Sequence, residues 1–366
     1  MRATAAILWE RDAPLSVESI EVGPPGPGEA LVRIIAAGMC HTDLAMRDPF
    51  RTTPLPIVLG HEGAGIVEAV GPGVGSVAEG DPVVLSFASC GECGRCAGGH
   101  PNYCDTMPAR NFGGCRLDGT TTYRSATGQP IGSHFFGQSS WSTHAVVAAS
   151  SLVPVAPDVP LQLAGPFGCG LQTGAGAVLN TFAAPPGSTI AVFGCGAVGL
   201  AAVMAAAATG CSTIVGIDAH PARRDLAREL GASHALAAGS DNAAELIELS
   251  AGRGLDFTFD ACGAPGVLGA AVEALAVRGV AGVVAAAGPD VTVELSPRHL
   301  LFGRQVRGII EGDAVPKVFI PRLLELWRQG RFPFERLVES FPLARIADAE
   351  AASHDGRVIK PVLVMP

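Results

Sequence analysis

The sequence predicts an α/β protein in which a mostly β domain is joined to a doubly wound parallel sheet. Two observations lead to this fold class. Through about the first 160 of the 366 residues, short apolar runs alternate with glycine and proline, as in irregular β domains. From about Pro185, apolar strands alternate with helical stretches, which indicates a parallel sheet covered by helices on both faces. The chain is long enough for two domains, each with its own core.

The first domain is predicted to be discontinuous. Its clearest strands are the apolar runs at residues 30–36, 65–70 and 81–87. After about Gly312 the alternation of strands and helices stops, and a helix at residues 321–329 is followed by a final strand at residues 358–364. We expect this last segment to return to the first domain. The predicted domains are therefore residues 1–170 with 312–366, and residues 171–311.

The second domain is predicted from regular, strongly apolar elements. Pro221 occupies the first position of one predicted helix, where its missing N–H leaves no hydrogen bond unmade. The predicted strands are residues 188–193, 213–217, 234–238, 255–259 and 280–286. The predicted helices are residues 197–209, 221–230, 243–250 and 266–277.

Composition and charge argue against several classes of protein. The formal net charge of -9 disfavours general nucleic-acid binding, which needs a basic surface. The alanine-rich run at residues 197–208 is much shorter than the roughly 20 apolar residues of a membrane span. The first residues, from Met1 to Thr4, lead into strand-like sequence and not into a signal peptide. Together with ten cysteines, four of them clustered, this predicts reduced thiols and a cytoplasmic location.

A cluster of four cysteines is the most conspicuous motif of the first domain. Cys90, Cys93, Cys96 and Cys104 follow the spacing C-x2-C-x2-C-x7-C. Four thiolates with this spacing can close a tetrahedral shell around zinc, and a closed shell indicates a structural site. An iron–sulfur centre with similar spacing stays an alternative, whereas a disulfide pair conflicts with a reducing compartment. A zinc ribbon that binds nucleic acid is disfavoured by the negative charge.

A glycine-rich turn predicts nucleotide binding in the second domain. Gly194-Cys-Gly-Ala-Val-Gly199 fits G-x-G-x-x-G, follows a predicted strand and opens a predicted helix. Gly194 allows the tight turn, Gly196 lets the backbone approach a pyrophosphate, and Gly199 lets helix and strand pack closely. The helix N-terminus, with Ala197 and Val198, supplies N–H donors and the positive end of the helix dipole.

Asp218 ends the next predicted strand, nineteen residues after Gly199. Its carboxylate can accept hydrogen bonds from both ribose hydroxyls and would repel a 2′-phosphate, so NAD is predicted in preference to NADP. Arg223 could attract such a phosphate, but with the acid in place we expect it on the adenosine side of the cofactor.

Three further candidate ligands are dispersed along the chain. Cys40 lies in Gly-Met-Cys-His-Thr-Asp, His61 in Gly-His-Glu-Gly-Ala-Gly, and Cys169 in Phe-Gly-Cys-Gly-Leu-Gln-Thr-Gly. Two thiolates and one imidazole leave a fourth tetrahedral position open, which is the arrangement of a catalytic zinc. Spacing does not show that these residues meet, and a single cysteine in an apolar run is more often a core residue.

These motifs, in this order and over nearly the whole chain, resemble the zinc-dependent medium-chain alcohol dehydrogenases. The resemblance implies a GroES-like first domain and a Rossmann second domain. It also implies two zinc ions per chain, a catalytic one on Cys40, His61 and Cys169 and a structural one on the four clustered cysteines. Three motifs resemble more closely the aryl-alcohol (benzyl-alcohol) dehydrogenases of this family and their terpenoid-alcohol relatives. They are Phe135-Phe-Gly-Gln-Ser-Ser140, Phe167-Gly-Cys-Gly-Leu-Gln-Thr-Gly-Ala-Gly176 and Ile310-Glu-Gly-Asp313.

The resemblance implies further roles around the catalytic zinc. Asp43 would fix the tautomer of His61, Glu62 would lie near the metal, and Thr42 would accept the proton of the alcohol. Where many relatives carry a histidine that passes this proton onward, the chain has Ala45, so proton release is expected to use water or another base. The implied cofactor contacts are His41, Thr173 and Lys360, and the implied substrate-pocket residues are Phe50, Phe87 and Trp141.

The resemblance thus implies reversible, NAD-dependent oxidation of primary aromatic or allylic alcohols to aldehydes. The expected partners are small-molecule alcohols and aldehydes, without nucleic acid or membrane, in a homodimer or homotetramer joined through the nucleotide domains near residues 280–286. Two alternatives stay open. One is a thiol-dependent formaldehyde dehydrogenase, which shares the zinc motifs, and the other is a non-enzymatic nucleotide-binding protein on the same scaffold.

Overall fold

The computed structural model describes residues 1–48, 51–284 and 292–366. They divide into two units. The first unit comprises Met1–Cys169, Val315–Arg322 and Glu335–Pro366, and the second comprises Gly170–Ala314 and Leu323–Phe334. Residues 170, 312–314 and 323–334, which the sequence pattern assigns to the first domain, belong to the second unit. The alternation of strands and helices ends near Gly312. The apolar pattern of the helix predicted at residues 321–329 does not reveal which of the two cores that helix packs against.

Short strands form two sheets in the N-terminal part of the first unit. They are β1 (Arg2–Leu8), β2 (Ser16–Val22), β3 (Glu29–Gly38), β4 (Ile57–Val58), β5 (Glu62–Val70), β6 (Pro82–Leu85), β7 (Tyr123–Ser125), β8 (Pro130–Ile131), β9 (His144–Ala148) and β10 (Leu152–Pro154). One sheet is antiparallel with the order β4-β1-β2-β7-β8. The other joins β10, β6, β5 and β3 in that order, and β9 also pairs with β3. The helices of this part are α1 (His41–Leu44), α2 (Gly94–Ala97), α3 (Met107–Phe112) and α4 (Leu161–Ala164).

The second unit is a six-stranded parallel sheet with helices between its strands. Its strands are β11 (Thr189–Phe193), β12 (Thr213–Asp218), β13 (His234–Ala237), β14 (Leu255–Asp260), β15 (Leu275–Val283) and β16 (Gln305–Gly308). The order β13-β12-β11-β14-β15-β16 is that of a Rossmann sheet. Before β11 lie α5 (Gly170–Gly176) and one π turn, Ala177–Thr181. The later helices are α6 (Ala197–Thr209), α7 (Pro221–Glu229), α8 (Asn242–Leu249), α9 (Val267–Glu273) and α10 (Pro297–Leu300). A further helix, α11 (Pro316–Arg328), belongs to the first unit up to Arg322 and to the second unit from Leu323.

The C-terminal segment completes the mixed sheet of the first unit. It contains β17 (Val338–Pro342), α12 (Ile346–His354) and β18 (Lys360–Val364). β18 pairs antiparallel with β3, and β17 extends the sheet by pairing parallel with β18. The final strand therefore returns to the first sheet system, as the sequence predicts. The fold class, a mostly β unit and a doubly wound parallel sheet, is confirmed.

One predicted helix is shorter than expected. The pattern predicts a helix at residues 266–277, but α9 ends at Glu273. Leu275 already belongs to β15, where it pairs with Leu255 of β14. The predicted strand at 280–286 lies partly in β15, and residues 285–286 lie outside the described residues. No helix in the described ranges is both long and apolar enough to cross a membrane.

Candidate functional site

Asp43 connects two segments at the centre of the candidate site. It lies in α1, and one of its carboxylate oxygens accepts a hydrogen bond from the Cys40 backbone N–H at 3.0 Å. The other oxygen lies 3.0 Å from the Gly60 backbone N–H and 2.8 Å from His61 Nδ1. A metal bound at Nε2 would leave the remaining proton of His61 on Nδ1, where the Asp43 carboxylate accepts it.

Cys40, His61 and Cys169 come together, and Glu62 joins them. The ligand atoms of the four residues lie within 4.8 Å of one another. His61 Nε2 is buried and has no hydrogen-bond partner among the residues that the structure describes. Two sulfurs and an unpartnered imidazole nitrogen at this spacing fit a tetrahedral zinc with an open position. The dispersed trio is thus able to hold the metal that its residue types suggest.

The electrostatics of this cluster favour a thiolate at Cys40. Hydrogen bonding with the Cys169 thiol lowers the pKa of Cys40 well below its ordinary value, against the effect of burial. The nearby ammonium group of Lys360 acts in the same direction. Thiolate is the form of cysteine that binds zinc, so the lowered pKa of Cys40 favours binding of a cation by the cluster.

Glu62 is fully buried and is paired with Lys360. Lys360 Nζ lies 2.9 and 3.0 Å from the two carboxylate oxygens and donates to the Met39 carbonyl at 3.2 Å. Burial raises the pKa of Glu62, and the Lys360 charge opposes this shift. The three N–H donors of Lys360 thus have three acceptors close by. Its contact with a cofactor pyrophosphate stays a prediction, and in this geometry the ammonium is held by Glu62.

The other predicted residues around the catalytic cluster differ in exposure. In α1, Thr42 is half-buried and His41 is exposed, and Ala45, directly after this helix, is buried. Phe87 and Trp141 belong to the core of the first unit, and the Trp141 indole N–H donates to the Gly38 carbonyl at 3.2 Å. Their role as pocket walls stays a prediction. Phe50 lies outside the described residues.

Two aromatic rings that no sequence motif predicts pack against His61. The Phe136 ring stacks on the His61 ring at 4.4 Å between centroids, and Phe135 meets it edge-on at 5.7 Å. Phe112 packs against both phenylalanines. Phe136 has a left-handed backbone with φ 52°, which is unusual for an aromatic residue. The motif at residues 135–140 contains both phenylalanines, but its sequence does not show that their rings face His61.

The four clustered cysteines form a second compact group of ligands. Their sulfur atoms lie within 4.8 Å of one another. Backbone N–H groups of Cys90 and Cys93 donate to the Cys104 and Cys90 sulfurs, each at 3.3 Å. Although burial opposes it, hydrogen bonding from Thr106 lowers the pKa of Cys104 to about 6. All ten cysteines lie in the described ranges, and none forms a disulfide. The group fits a closed zinc shell.

The glycine-rich turn joins β11 to α6 in the second unit. Gly194 has φ 91°, and a Cβ on Gly199 would lie 1.8 Å from the Gly194 carbonyl oxygen, so both positions require glycine. A Cβ on Gly196 would meet no atom within 4 Å, which leaves open space in front of the turn. Ala197 and Val198 begin α6, where free N–H groups and the helix dipole favour a phosphate.

Asp218 stands at the end of β12 beside this turn. Its two carboxylate oxygens accept hydrogen bonds from the backbone N–H groups of Cys195 and His220, both at 2.8 Å. Arg223 Nη1 lies 3.9 Å from the carboxylate. Each carboxylate oxygen keeps a lone pair for a ribose hydroxyl. Thr173, the remaining predicted cofactor contact, is buried in α5.

Two family models match the chain. The alcohol dehydrogenase GroES-like domain matches residues 26–158, and the zinc-binding dehydrogenase domain matches residues 197–327.

Individual proteins are similar over almost the full length. A geraniol dehydrogenase of Castellaniella defragrans is 47% identical over 365 residues, covering 99% of this chain and 97% of the relative. The crystal structure of an alcohol dehydrogenase zinc-binding domain protein from Burkholderia ambifaria matches with a TM-score of 0.98 and 47% identity. The match covers 100% of this chain and 99% of the Burkholderia chain. A benzyl alcohol dehydrogenase from Acinetobacter calcoaceticus matches with a TM-score of 0.96 and 38% identity, covering 100% of both chains.

Proposed function

The chain belongs to the zinc-dependent medium-chain alcohol dehydrogenase family, and we propose that it oxidises primary aromatic or allylic alcohols reversibly to aldehydes with NAD. Membership of the family implies alcohol dehydrogenase activity and the cofactors zinc and NAD. The observation that carries the proposal is the convergence of two sulfurs on the buried, unpartnered Nε2 of His61.

When bound, zinc supplies a Lewis-acid position for an alcohol oxygen, and NAD supplies a hydride acceptor. Cys40, His61 and Cys169 would hold the metal, and Asp43 keeps the His61 ring in the tautomer that presents Nε2. The hydroxyl oxygen of Thr42 would accept the proton of the substrate.

The next step of proton transfer differs from that of many relatives. Ala45 is buried and has only a methyl group, so it offers no acceptor for a relay. We therefore assign the onward transfer from Thr42 to water or another base.

Aromatic and allylic substrates are supported by the relatives and by the rings beside His61. The similar proteins include a geraniol dehydrogenase, named for an allylic alcohol, and a benzyl alcohol dehydrogenase, named for an aromatic one. Phe135 and Phe136 are buried against His61 and keep water from that side of the imidazole, and we propose that an aromatic ring or a prenyl chain binds near this apolar wall.

The preference for NAD over NADP is proposed from Asp218. Its buried carboxylate would accept from ribose hydroxyls and repel a 2′-phosphate. Arg223 lies close enough to the carboxylate to be partly neutralised by it, which weakens its attraction for a phosphate.

We also propose that the protein forms a homodimer or homotetramer in the cytoplasm. Within the described residues β16 is the last strand in the order of the parallel sheet, so it stands at an edge of that sheet. Leu301 and Phe302, just before this strand, are 79% and 59% exposed, which favours an apolar contact here. Light scattering would test the association, and a strict monomer would refute it.

A substrate screen tests the proposed activity directly. NADH formation is measured with benzyl alcohol, geraniol, ethanol, and formaldehyde mixed with a thiol. We expect turnover of benzyl alcohol and geraniol to exceed that of ethanol. Turnover of the formaldehyde–thiol mixture alone would replace the proposal by the thiol-dependent alternative, and no turnover of any of them would refute it.

A further inference from the structure

Three consecutive residues of the second unit have a left-handed backbone. The φ angles are 51° for Glu311, 66° for Gly312 and 48° for Asp313. Glycine adopts this conformation freely, but it is unfavourable for glutamate and aspartate. Such strain persists only where the surroundings hold the backbone, and it is frequent near functional sites. We call these residues the 311–313 turn.

Side chains from one short segment hold the 311–313 turn. Gln172 Nε2 donates to a Glu311 carboxylate oxygen at 2.9 Å, with both residues buried. Thr181 Oγ1 donates to an Asp313 carboxylate oxygen at 2.7 Å. Gln172 lies in α5 and Thr181 at the end of the π turn that follows it, and isolated π turns are also frequent near functional sites.

The backbones of the turn and of α5 are in direct contact. A Cβ on Gly176 would lie 2.2 Å from the Gly312 carbonyl oxygen, so no other side chain fits there. A Cβ on Gly312 would lie 2.3 Å from the Gln172 carbonyl oxygen and 3.0 Å from that of Thr173. Asn180 Nδ2 donates to the Gly312 carbonyl at 3.0 Å. The 311–313 turn thus fixes the backbone around Thr173.

α5 in turn packs against the helix that the glycine-rich turn opens. A Cβ on Gly174 would lie 1.9 Å from the Val198 carbonyl oxygen and 3.0 Å from the Ala201 Cβ. Val198 is in the first turn of α6, whose N-terminus faces the candidate phosphate position. Two close contacts therefore link the 311–313 turn to the candidate nucleotide site, one from the turn to α5 and one from α5 to α6.

We propose that Glu311 and Asp313 are positioning residues for NAD. Their bonds to Gln172 and Thr181 hold the strained turn against α5 and so fix Thr173 and the start of α6 for the cofactor. The inference rests on the proposed function, because it takes the glycine-rich turn to bind NAD. Loss of either side-chain bond lets the turn relax and α5 shift, which weakens cofactor binding without touching the zinc ligands.

Binding of NADH to the full-length, zinc-loaded protein tests this proposal. Glu311→Ala is expected to raise the Kd for NADH by about tenfold, since small displacements of positioning groups have large effects. Glu311→Gln should stay close to the wild type, because its amide oxygen still accepts from Gln172. Thr181→Val, a milder change, should raise the Kd in the same direction. Asp225→Asn, on the exposed face of α7, is the matched control and should leave the Kd unchanged.

Zinc content and melting temperature are measured on the same samples. Supporting results are a raised Kd for Glu311→Ala and Thr181→Val with full zinc content, and rescue in Glu311→Gln. A lowered melting temperature with unchanged Kd would show a purely structural turn and overturn the inference. If Glu311→Ala does not fold, Thr181→Val decides alone, and an unchanged Kd there overturns it. A wild-type protein that does not bind NADH would overturn the proposed function itself, and this inference with it.

Discussion

Lys360 and Glu62 form a buried ion pair, with Nζ 2.9 and 3.0 Å from the two carboxylate oxygens, although 298 residues separate them in the chain. Sheet register brings them together. Gly38 of β3 pairs with Glu62 of β5 on one side and with Val362 of β18 on the other. Gly38 also leaves room for the pair, because a Cβ there would lie 2.0 Å from a Glu62 carboxylate oxygen.

Removing the charge of Lys360 should therefore destabilise the protein strongly. In Lys360→Met, the Glu62 carboxylate stays buried without a counter-charge, and we expect the free energy of unfolding to fall by about 3–5 kcal/mol. Urea denaturation measures the change. The double variant Glu62→Gln with Lys360→Met removes both charges and should recover much of the loss. A single variant as stable as the wild type would show that the pair contributes nothing.

Asp43→Asn should weaken the catalytic metal site while leaving the fold intact. Asparagine has no charge and a single acceptor oxygen, so it cannot serve both the Cys40 N–H and His61 Nδ1, and losses of such partners typically lower metal affinity or activity about 10- to 100-fold. Competition with a zinc chelator measures the affinity. An unchanged affinity would mean that Asp43 serves only to join its backbone partners at Cys40 and Gly60.

The two cysteine groups should behave as separate zinc sites. Metal analysis of the wild type is expected to give about two zinc ions per chain, one for each ligand group. Cys169→Ala should lower this to about one and abolish turnover in a folded protein. Cys93→Ala should also remove about one ion, but at the cost of solubility or assembly. Turnover retained in Cys169→Ala would contradict the proposed mechanism.

Glu29 should make the stability of the first unit sensitive to acid. Although burial opposes it, hydrogen bonds from Arg116 and His134 lower the pKa of Glu29 from 4.5 to about 2. A carboxyl with a lowered pKa in the folded state stabilises the protein above pH 4.5, and this contribution is lost as the pH falls toward 2. Because Arg116 is partly exposed, we expect a screened contribution of about 1–2 kcal/mol.

The variant Glu29→Gln tests this dependence. It should be less stable than the wild type at pH 7, and the difference in the free energy of unfolding should shrink between pH 4.5 and 3. Denaturation curves at several pH values measure it. A difference that stays constant over this range would show that Glu29 does not titrate as its hydrogen bonds indicate.

Cofactor preference should depend on the charge of Asp218. Asp218→Asn keeps the size of the side chain and removes the charge that repels a 2′-phosphate. We expect kcat/KM for NADP to rise about 10- to 100-fold relative to that for NAD. Steady-state kinetics with both cofactors measure the ratio. A wild-type enzyme that uses NADP as well as NAD would refute the role of Asp218.

Much of the fold could be predicted because its signals are local. The strands and helices of the parallel sheet follow from apolar runs and turn residues, and α6 begins and ends where the pattern predicts, at Ala197 and Thr209. Errors arose where packing overrides the pattern. α9 stops at Glu273 because β15 begins, and residues 323–334 pack with the second unit although they follow the end of the alternation.

The sequence by itself determined the four-cysteine group and the glycine-rich turn with Asp218. In both, the interacting residues lie within one loop or one strand–helix–strand unit, so the local backbone geometry brings them together. Only the tertiary structure decided that Cys40, His61 and Cys169 meet, that Phe136 stacks on His61, and that Lys360 is held by Glu62. The physical reason is that these contacts depend on the register and packing of strands far apart in the chain, which no local spacing encodes.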